Sequence, residues 1–282
     1  MKTLTPHKIH RAFNGTVEFY THQSYSTQTP MNFSVYRPII EGRKRPPVLF
    51  WLSGLTCNEE NFMQKAHALK KASELGIMLI CPDTSPRGLN LIDEHTNDDF
   101  GSGASFYLNA TTAGYCDHYR MQDYLVGELP QLIFDHFTVD FSKIGIFGHS
   151  MGGYGALILG LKFPELFKSL SAFSPICHPV KAAWGQKAFN GYLGADKNKW
   201  EEYDATIVLQ RLGYSRPILI DQGLEDEYLE TQLMPTEFIK VAQSKNIDLR
   251  FNLREHFDHS YYFVSSFISQ HLEFHHAQLN SV

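Results

Sequence analysis

The segment Gly148-His149-Ser150-Met151-Gly152 holds the residue whose chemistry is easiest to name. Before it runs Lys143-Ile144-Gly145-Ile146-Phe147, a short apolar stretch of strand formers. After it runs Tyr154-Gly155-Ala156-Leu157-Ile158-Leu159-Gly160-Leu161, an apolar stretch suited to a buried helix. Strand, Gly-x-Ser-x-Gly and helix in that order build a nucleophile elbow, a sharp turn that lifts one serine hydroxyl clear of the backbone at the end of a sheet. Ser150 is that serine. Gly148 and Gly152 have a steric role, because a side chain at either position would strike the neighbouring chain. The bland alternative is a tight turn whose serine only caps the helix. The flanking strand and helix favour the nucleophile.

A serine hydroxyl needs a base to accept its proton, and the base needs an acid to fix its tautomer and stabilise its charged form. Behind an elbow of this kind the partners follow in chain order, acid and then histidine. The acid belongs in Gln222-Gly223-Leu224-Glu225-Asp226-Glu227, after the apolar run Ile218-Leu219-Ile220-Asp221. Asp221 still belongs to the strand. Asp226 lies well out beyond Gly223, where the chain can turn its side chain back, while Glu225 and Glu227 stay open as competitors with the plainer role of solvated charges. Of fourteen histidines, only His256 and His259 fall between the last strand and the last helix. His259 stands immediately before Ser260-Tyr261-Tyr262-Phe263, a helix start that Ser260 would cap, and His256 is the fallback. Two backbone N–H groups must hold the developing oxyanion. Met151 supplies one by position, and Leu55 in Ser53-Gly54-Leu55-Thr56-Cys57 supplies the other. Cys57, two residues past Leu55, is either a site-adjacent thiol or a small buried apolar residue.

These groups need a scaffold. Short alternating runs at Thr16 to Tyr20 and Met31 to Pro38 predict antiparallel strands at a sheet edge. Solid apolar runs follow at Val48 to Leu52, Ile77 to Ile80, Ile144 to Phe147, Leu170 to Phe173, Ile218 to Ile220 and Leu249 to Leu253. Strands covered on both faces read this way, so a mostly parallel central sheet is expected. Helical spacing at Phe62 to Leu75, Tyr119 to Phe137, Gln232 to Ser244 and Ser260 to His276 provides the crossovers, and the class is α/β with helices on both faces.

The 282 residues read as a single domain, 1–282, without linker or repeat; 43% are hydrophobic and 13% aromatic, enough for a covered sheet. With 25 Lys and Arg against 30 Asp and Glu, the net charge of -5 offers no basic surface for nucleic acid or an anionic membrane. Cys57, Cys81, Cys116 and Cys177 are scattered without a Cys-x-x-Cys pair, which fits a reducing compartment. The N-terminal residues lack the apolar stretch of a secretory signal, so a cytoplasmic location is expected. His271, His275 and His276 lack a His-Glu-x-x-His pattern and a third ligand; no metal is expected there, and they read as a solvated helical face. Gly101-Ser102-Gly103 lacks the Gly-Lys-Ser/Thr of a phosphate loop.

Taken together, Trp51 to Cys57, Pro82-Asp83-Thr84-Ser85-Pro86-Arg87-Gly88, Gly148 to Gly153, Asp221-Gln222-Gly223 and Asp258-His259-Ser260-Tyr261-Tyr262 resemble the S-formylglutathione hydrolase family, the esterase D group of the α/β-hydrolases. The resemblance runs from near the N-terminus to the last helix. It implies the α/β-hydrolase fold, with Ser150 as nucleophile, His259 rather than His256 as base, and Asp226 as acid. It also implies hydrolysis of the thioester S-formylglutathione to glutathione and formate, a step of formaldehyde detoxification, with side activity on small acyl esters. Members of the family need no cofactor, are typically cytoplasmic and are often homodimers. One departure stands out: Asp98-Asp99-Phe100-Gly101 occupies the place where the family commonly has Trp-Asp-Phe-Gly, so a carboxylate replaces an aromatic wall. A short-chain carboxylesterase, an acyltransferase of the same fold and a non-catalytic binder on a hydrolase scaffold are the competing readings. An intact Ser150, Asp226 and His259 argues against the last.

Overall fold

Among the described residues, nine strands form one sheet in the order β1-β2-β3-β5-β4-β6-β7-β8-β9. The computed structural model describes residues 4–42 and 45–281. The strands are β1 (Lys8–Arg11), β2 (Gly15–Gln23), β3 (Pro30–Pro38), β4 (Val48–Leu52), β5 (Met78–Pro82), β6 (Ile144–His149), β7 (Ser169–Phe173), β8 (Ile218–Gly223) and β9 (Leu249–Arg254). β1, β2 and β3 pair antiparallel, β3 pairs antiparallel with β5, and every pairing from β5 through β4 to β9 is parallel. The expected mostly parallel sheet with antiparallel N-terminal strands is what the chain forms. β4 to β8 are buried along their whole length, which is why their sequences do not alternate. β9, at the edge, is only half covered.

Among the described residues ten α-helices accompany the sheet: α1 (Asn61–Lys65), α2 (Leu69–Leu75), α3 (Met121–Asp123), α4 (Leu129–His136), α5 (Met151–Lys162), α6 (Ala183–Leu193), α7 (Lys197–Glu201), α8 (Ala205–Leu212), α9 (Pro235–Ser244) and α10 (Tyr261–Asn280). They cover two faces with separate apolar clusters. Phe50, Leu52, Ile146 and Leu170 pack on one side with residues of α4, α5, α6, α8 and α9. Leu49, Trp51, Phe147 and Phe173 pack on the other with Phe62 of α1, Ala72 of α2 and Phe263, Val264, Ile268 and Leu272 of α10. Trp51 stacks on Phe62 at 4.1 Å and meets Phe147 edge-on at 4.9 Å between ring centroids, contacts worth about 0.5–1.5 kcal/mol each beyond area burial.

Several boundaries differ from the sequence reading. The helix expected over Phe62 to Leu75 is broken between α1 and α2, where His67 takes a φ of 55°. The Tyr119 to Phe137 segment starts as α3, passes through a π-helical turn at Tyr124–Glu128 and ends as α4. The buried Glu128 at that turn accepts hydrogen bonds from Ser24 Oγ and the amides of Tyr25 and Ser26, tying the irregular helix to the β2–β3 loop. The helix expected from Gln232 instead follows a second π-helical turn at Leu229–Leu233 and a left-handed Met234, and α9 begins at Pro235. The sequence reading has no element for β1 or for α6, α7 and α8.

β4 has β5 on one side and β6 on the other, so the chain leaves β4 in one direction and returns beyond it in the opposite one. In such sheets ligands bind past the carboxyl ends of the strands at this switch point. The loops after β4 and β6 carry Leu55 and Ser150. Among the described residues no helix is long and apolar enough to cross a membrane.

Candidate active site

β6 ends at His149 and α5 begins at Met151, leaving Ser150 alone in the turn with φ 58° and ψ −121°. A non-glycine residue held there costs on the order of 1–3 kcal/mol and persists only where its surroundings impose it. Here the Ser150 amide donates to the Phe173 carbonyl at 3.0 Å, and Tyr154 N–H donates to the Ser150 carbonyl at 2.9 Å. A Cβ on Gly148 would lie 2.3 Å from the Gly152 carbonyl oxygen, and one on Gly152 would lie 1.9 Å from that of Leu52. The glycines are therefore where the elbow folds against the end of β4.

The four carboxylates after β8 separate cleanly. Asp221 lies inside β8 and accepts from Asn252 Nδ2 and from Nε and Nη2 of Arg254. Glu225 is exposed and meets the exposed His256 at 3.0 Å, which leaves that histidine in a surface pair. Glu227 is exposed. Asp226 is buried, and its Oδ2 lies 2.6 Å from His259 Nδ1. Gln222 Nε2 donates to the same oxygen at 3.1 Å, and Tyr228 N–H donates to Oδ1 at 3.0 Å. A carboxylate accepts, so Nδ1 carries the proton and Nε2 is left as the basic nitrogen. Burial raises the Asp226 pKa, but the hydrogen bond and charge of His259 and the Tyr228 amide outweigh it and hold the carboxyl below its ordinary value.

The two loops are joined by backbone. Leu224 N–H donates to Arg254 and Glu225 N–H to Phe257. Gly223 allows this approach, since a Cβ there would lie 2.3 Å from the Phe257 carbonyl oxygen. Ser260 then caps α10 by accepting from Tyr262 N–H, fixing the residue before it, His259, at the end of a rigid helix.

A cavity of about 540 Å³ opens over the elbow, with Ser150, His259, Leu55 and Cys57 in its wall. The Ser150 hydroxyl has no hydrogen-bond partner among the described residues, the open geometry common where the serine–histidine bond tightens around substrate. Neither the Leu55 nor the Met151 amide donates a hydrogen bond among the described residues. Both stand beside the serine, one in the loop after β4 and one at the first turn of α5.

Among the other wall residues, His149, Tyr228 and Trp184 have no role in the sequence reading, whereas Asp98 stands out there as a departure. His149 is buried, its ring centroid 4.5 Å from that of His259, and Tyr228 packs edge-on against His259 at 5.0 Å. Burial first, and the His259 charge second, push His149 well below the ordinary histidine value, so a neutral imidazole backs the couple. Trp184, from α6, also lines the cavity, as do Asn97, Asp98 and Asp99. The carboxylate that replaces the expected tryptophan is thus at the cleft. Asp99 is engaged by Lys187. Cys57 is at the cleft too, with its thiol pKa raised chiefly by burial.

One expectation is overturned. His271 and His275 are not on a solvated face: both are fully buried under the sheet. His275 bonds Ser169 Oγ through Nδ1 and Ser171 Oγ through Nε2, and His271 Nδ1 bonds Ser171 Oγ. Burial lowers both pKa values. Among the described residues no three His, Cys, Asp or Glu side chains are grouped to hold a metal ion.

The profile of the Esterase family, described as "Putative esterase", matches residues 24–274. The chain is 48% identical over 273 residues to the S-formylglutathione hydrolase of Bos taurus, covering 96% of this chain and 97% of that protein. It is equally similar, 48% over 275 residues, to that of Rattus norvegicus. The solved structure of an S-formylglutathione hydrolase from Agrobacterium tumefaciens superposes with a TM-score of 0.93 at 44% identity, covering 98% of this chain and 99% of that one. With its elbow, its carboxylate–histidine couple and this likeness along nearly its whole length, the chain belongs to the Esterase family, beside the S-formylglutathione hydrolases.

Proposed function

We infer that the protein hydrolyses the thioester S-formylglutathione to glutathione and formate. The observation that carries the chemistry is the 2.6 Å contact of His259 and Asp226 opening onto the same cleft as Ser150. The likeness to enzymes named for this reaction supports the substrate. Ser150 is the nucleophile, His259 the base and Asp226 the acid that holds it. Nε2 of His259 takes the Ser150 proton as Oγ attacks the formyl carbon, and the Leu55 and Met151 amides hold the oxyanion. Collapse breaks the carbon–sulfur bond, and glutathione leaves with the proton from His259. Water then gives a proton to Nε2, attacks the formyl-serine and releases formate, and the proton returns to Ser150 Oγ. No step calls for a metal or cofactor.

The remaining parts of the reading follow from this one. Residues 1–282 act as a single domain in the cytoplasm, in formaldehyde detoxification, with the chain pairing as a homodimer and cleaving small acyl esters as a side activity. The formyl group is the smallest acyl group, so selectivity comes from a tight space over the oxyanion donors. Steady-state rates on S-formyl-, S-acetyl- and S-lactoylglutathione test it. The highest kcat/KM is expected on the formyl thioester; a preference for either larger acyl group, or for aryl acetates over all three, would favour a general carboxylesterase.

A further inference from the structure

The catalytic cleft does not end at His259. A second cavity, of about 460 Å³, lies beyond it and shares Ser260 and Tyr261 with the first. Its wall also holds Lys65 and His67 and contains no carboxylate. Lys65 forms no ion pair among the described residues, whereas Lys187 is taken by Asp99, which lines the catalytic cavity. The Lys65 ammonium lies 5.8 Å from the Tyr261 ring centroid. Its field reaches the cleft, since it opposes the effect of burial on the Cys57 thiol. Asp98 is exposed, lines the catalytic cavity and has no partner among the described residues. The two joined cavities therefore carry an unpaired lysine in one wall and, in the wall that also holds Ser150, an unpaired carboxylate.

Glutathione matches that polarity. Its glycyl arm ends in a carboxylate alone, and its γ-glutamyl arm carries an ammonium. We propose that the glutathione part of the substrate lies across Tyr261 with its glycyl carboxylate on Lys65 and its γ-glutamyl ammonium beside Asp98. The assignment rests on the S-formylglutathione reading and adds the residues that recognise the thiol part. Neither end touches the reacting atoms, so both act on binding. Interactions made equally in ground and transition states change KM and leave kcat nearly alone.

The test is steady-state kinetics of Lys65→Ala, Lys65→Gln and Asp98→Ala on S-formylglutathione, with an aryl acetate as the uncharged comparison. Loss of a charge-assisted contact at an exposed site is expected to raise KM for S-formylglutathione about three- to fivefold in either lysine variant, with kcat changed less than about twofold. The ratio of kcat/KM on S-formylglutathione to that on the aryl acetate falls accordingly. Asp98→Ala is expected to lose its penalty when the substrate amine is acetylated. In the unaltered protein KM rises with salt, and the slope flattens in Lys65→Gln. An unchanged KM in both lysine variants, while the unaltered protein hydrolyses S-formylglutathione, overturns this assignment alone. Failure of the unaltered protein to hydrolyse S-formylglutathione, with aryl acetate still cleaved, overturns the substrate reading beneath it as well.

Discussion

Asp226 Oδ2 and His259 Nδ1, which belong to loops after different strands, lie 2.6 Å apart, with the carboxylate buried. An amide at 226 would preserve the shape but offer an NH₂ or a neutral oxygen to Nδ1. It would favour the wrong tautomer and leave the imidazolium without its counter-charge. Asp226→Asn is therefore expected to lower kcat by on the order of 10³–10⁴ with little change in KM. Stopped assays on S-formylglutathione, with circular dichroism to verify the fold, measure this. A loss smaller than tenfold would remove Asp226 from the catalytic group and return attention to Glu225.

The elbow makes a structural prediction of its own. A Cβ at 152 has no room against the Leu52 carbonyl, while one at Gly127 meets nothing within 4 Å. Gly152→Ala is expected to cost about 3 kcal/mol or more, because backbone must move on both sides. Gly127→Ala should be close to neutral. Thermal melts of the two variants decide the matter, and equal shifts would show that the glycine is not there for space.

The elbow was legible because its causes are local: a strand buried on both faces, two glycines and an apolar helix within twenty residues. Choosing His259 over His256 depends on something else, the bonds from Leu224 and Glu225 to Arg254 and Phe257 that pull two distant loops together. No spacing in the sequence records those bonds. The buried histidines show the opposite failure, since a signal was present. His271 and His275 fall seven residues after Val264 and Ile268, on the apolar stripe of α10 that packs under the sheet. Judged by residue type they look solvated. Judged by phase they belong inside, where the hydroxyls of Ser169 and Ser171 in β7 satisfy them.

Cys57 combines access with low intrinsic reactivity. It lines the cleft, yet burial raises its pKa from 9.0, so little thiolate exists at neutral pH. Alkylation by a bulky maleimide is expected to be slow at pH 7 and to accelerate severalfold by pH 8.5, abolishing thioesterase activity as the adduct fills the cleft. The Cys57→Ser variant should lose that sensitivity, leaving Cys116 as the accessible thiol and the buried Cys81 and Cys177 unreacted. Full activity after complete modification of Cys57 would place its side chain away from the substrate path.

The histidines under the sheet give stability a pH dependence whose sign is fixed. Burial lowers the pKa of His271, with partial relief from Asp221, and lowers that of His275 further with the help of the His271 charge. In the unfolded chain both titrate near 6.5. Below that value the unfolded state binds protons that the native state refuses, so stability falls as pH falls. The slope is about 1.4 kcal/mol per pH unit for each histidine until its folded pKa is reached. The carboxylates with depressed values, Asp221, Asp226, Asp258 and Glu237, act only near and below their ordinary values of 3.8 and 4.5, outside this window, while His149 and His22, lowered chiefly by burial, add to the decline and Glu59, raised by burial, opposes it. Urea midpoints should therefore be flat from pH 8 to 7 and decline steadily from about 6.5 towards 5. His275→Gln should be less stable at pH 8, through lost bonds to Ser169 and Ser171, but should decline less steeply. A midpoint that holds constant or rises between pH 7 and 5 would mean that these imidazoles accept protons in place, and the account of a neutral buried pair would fail.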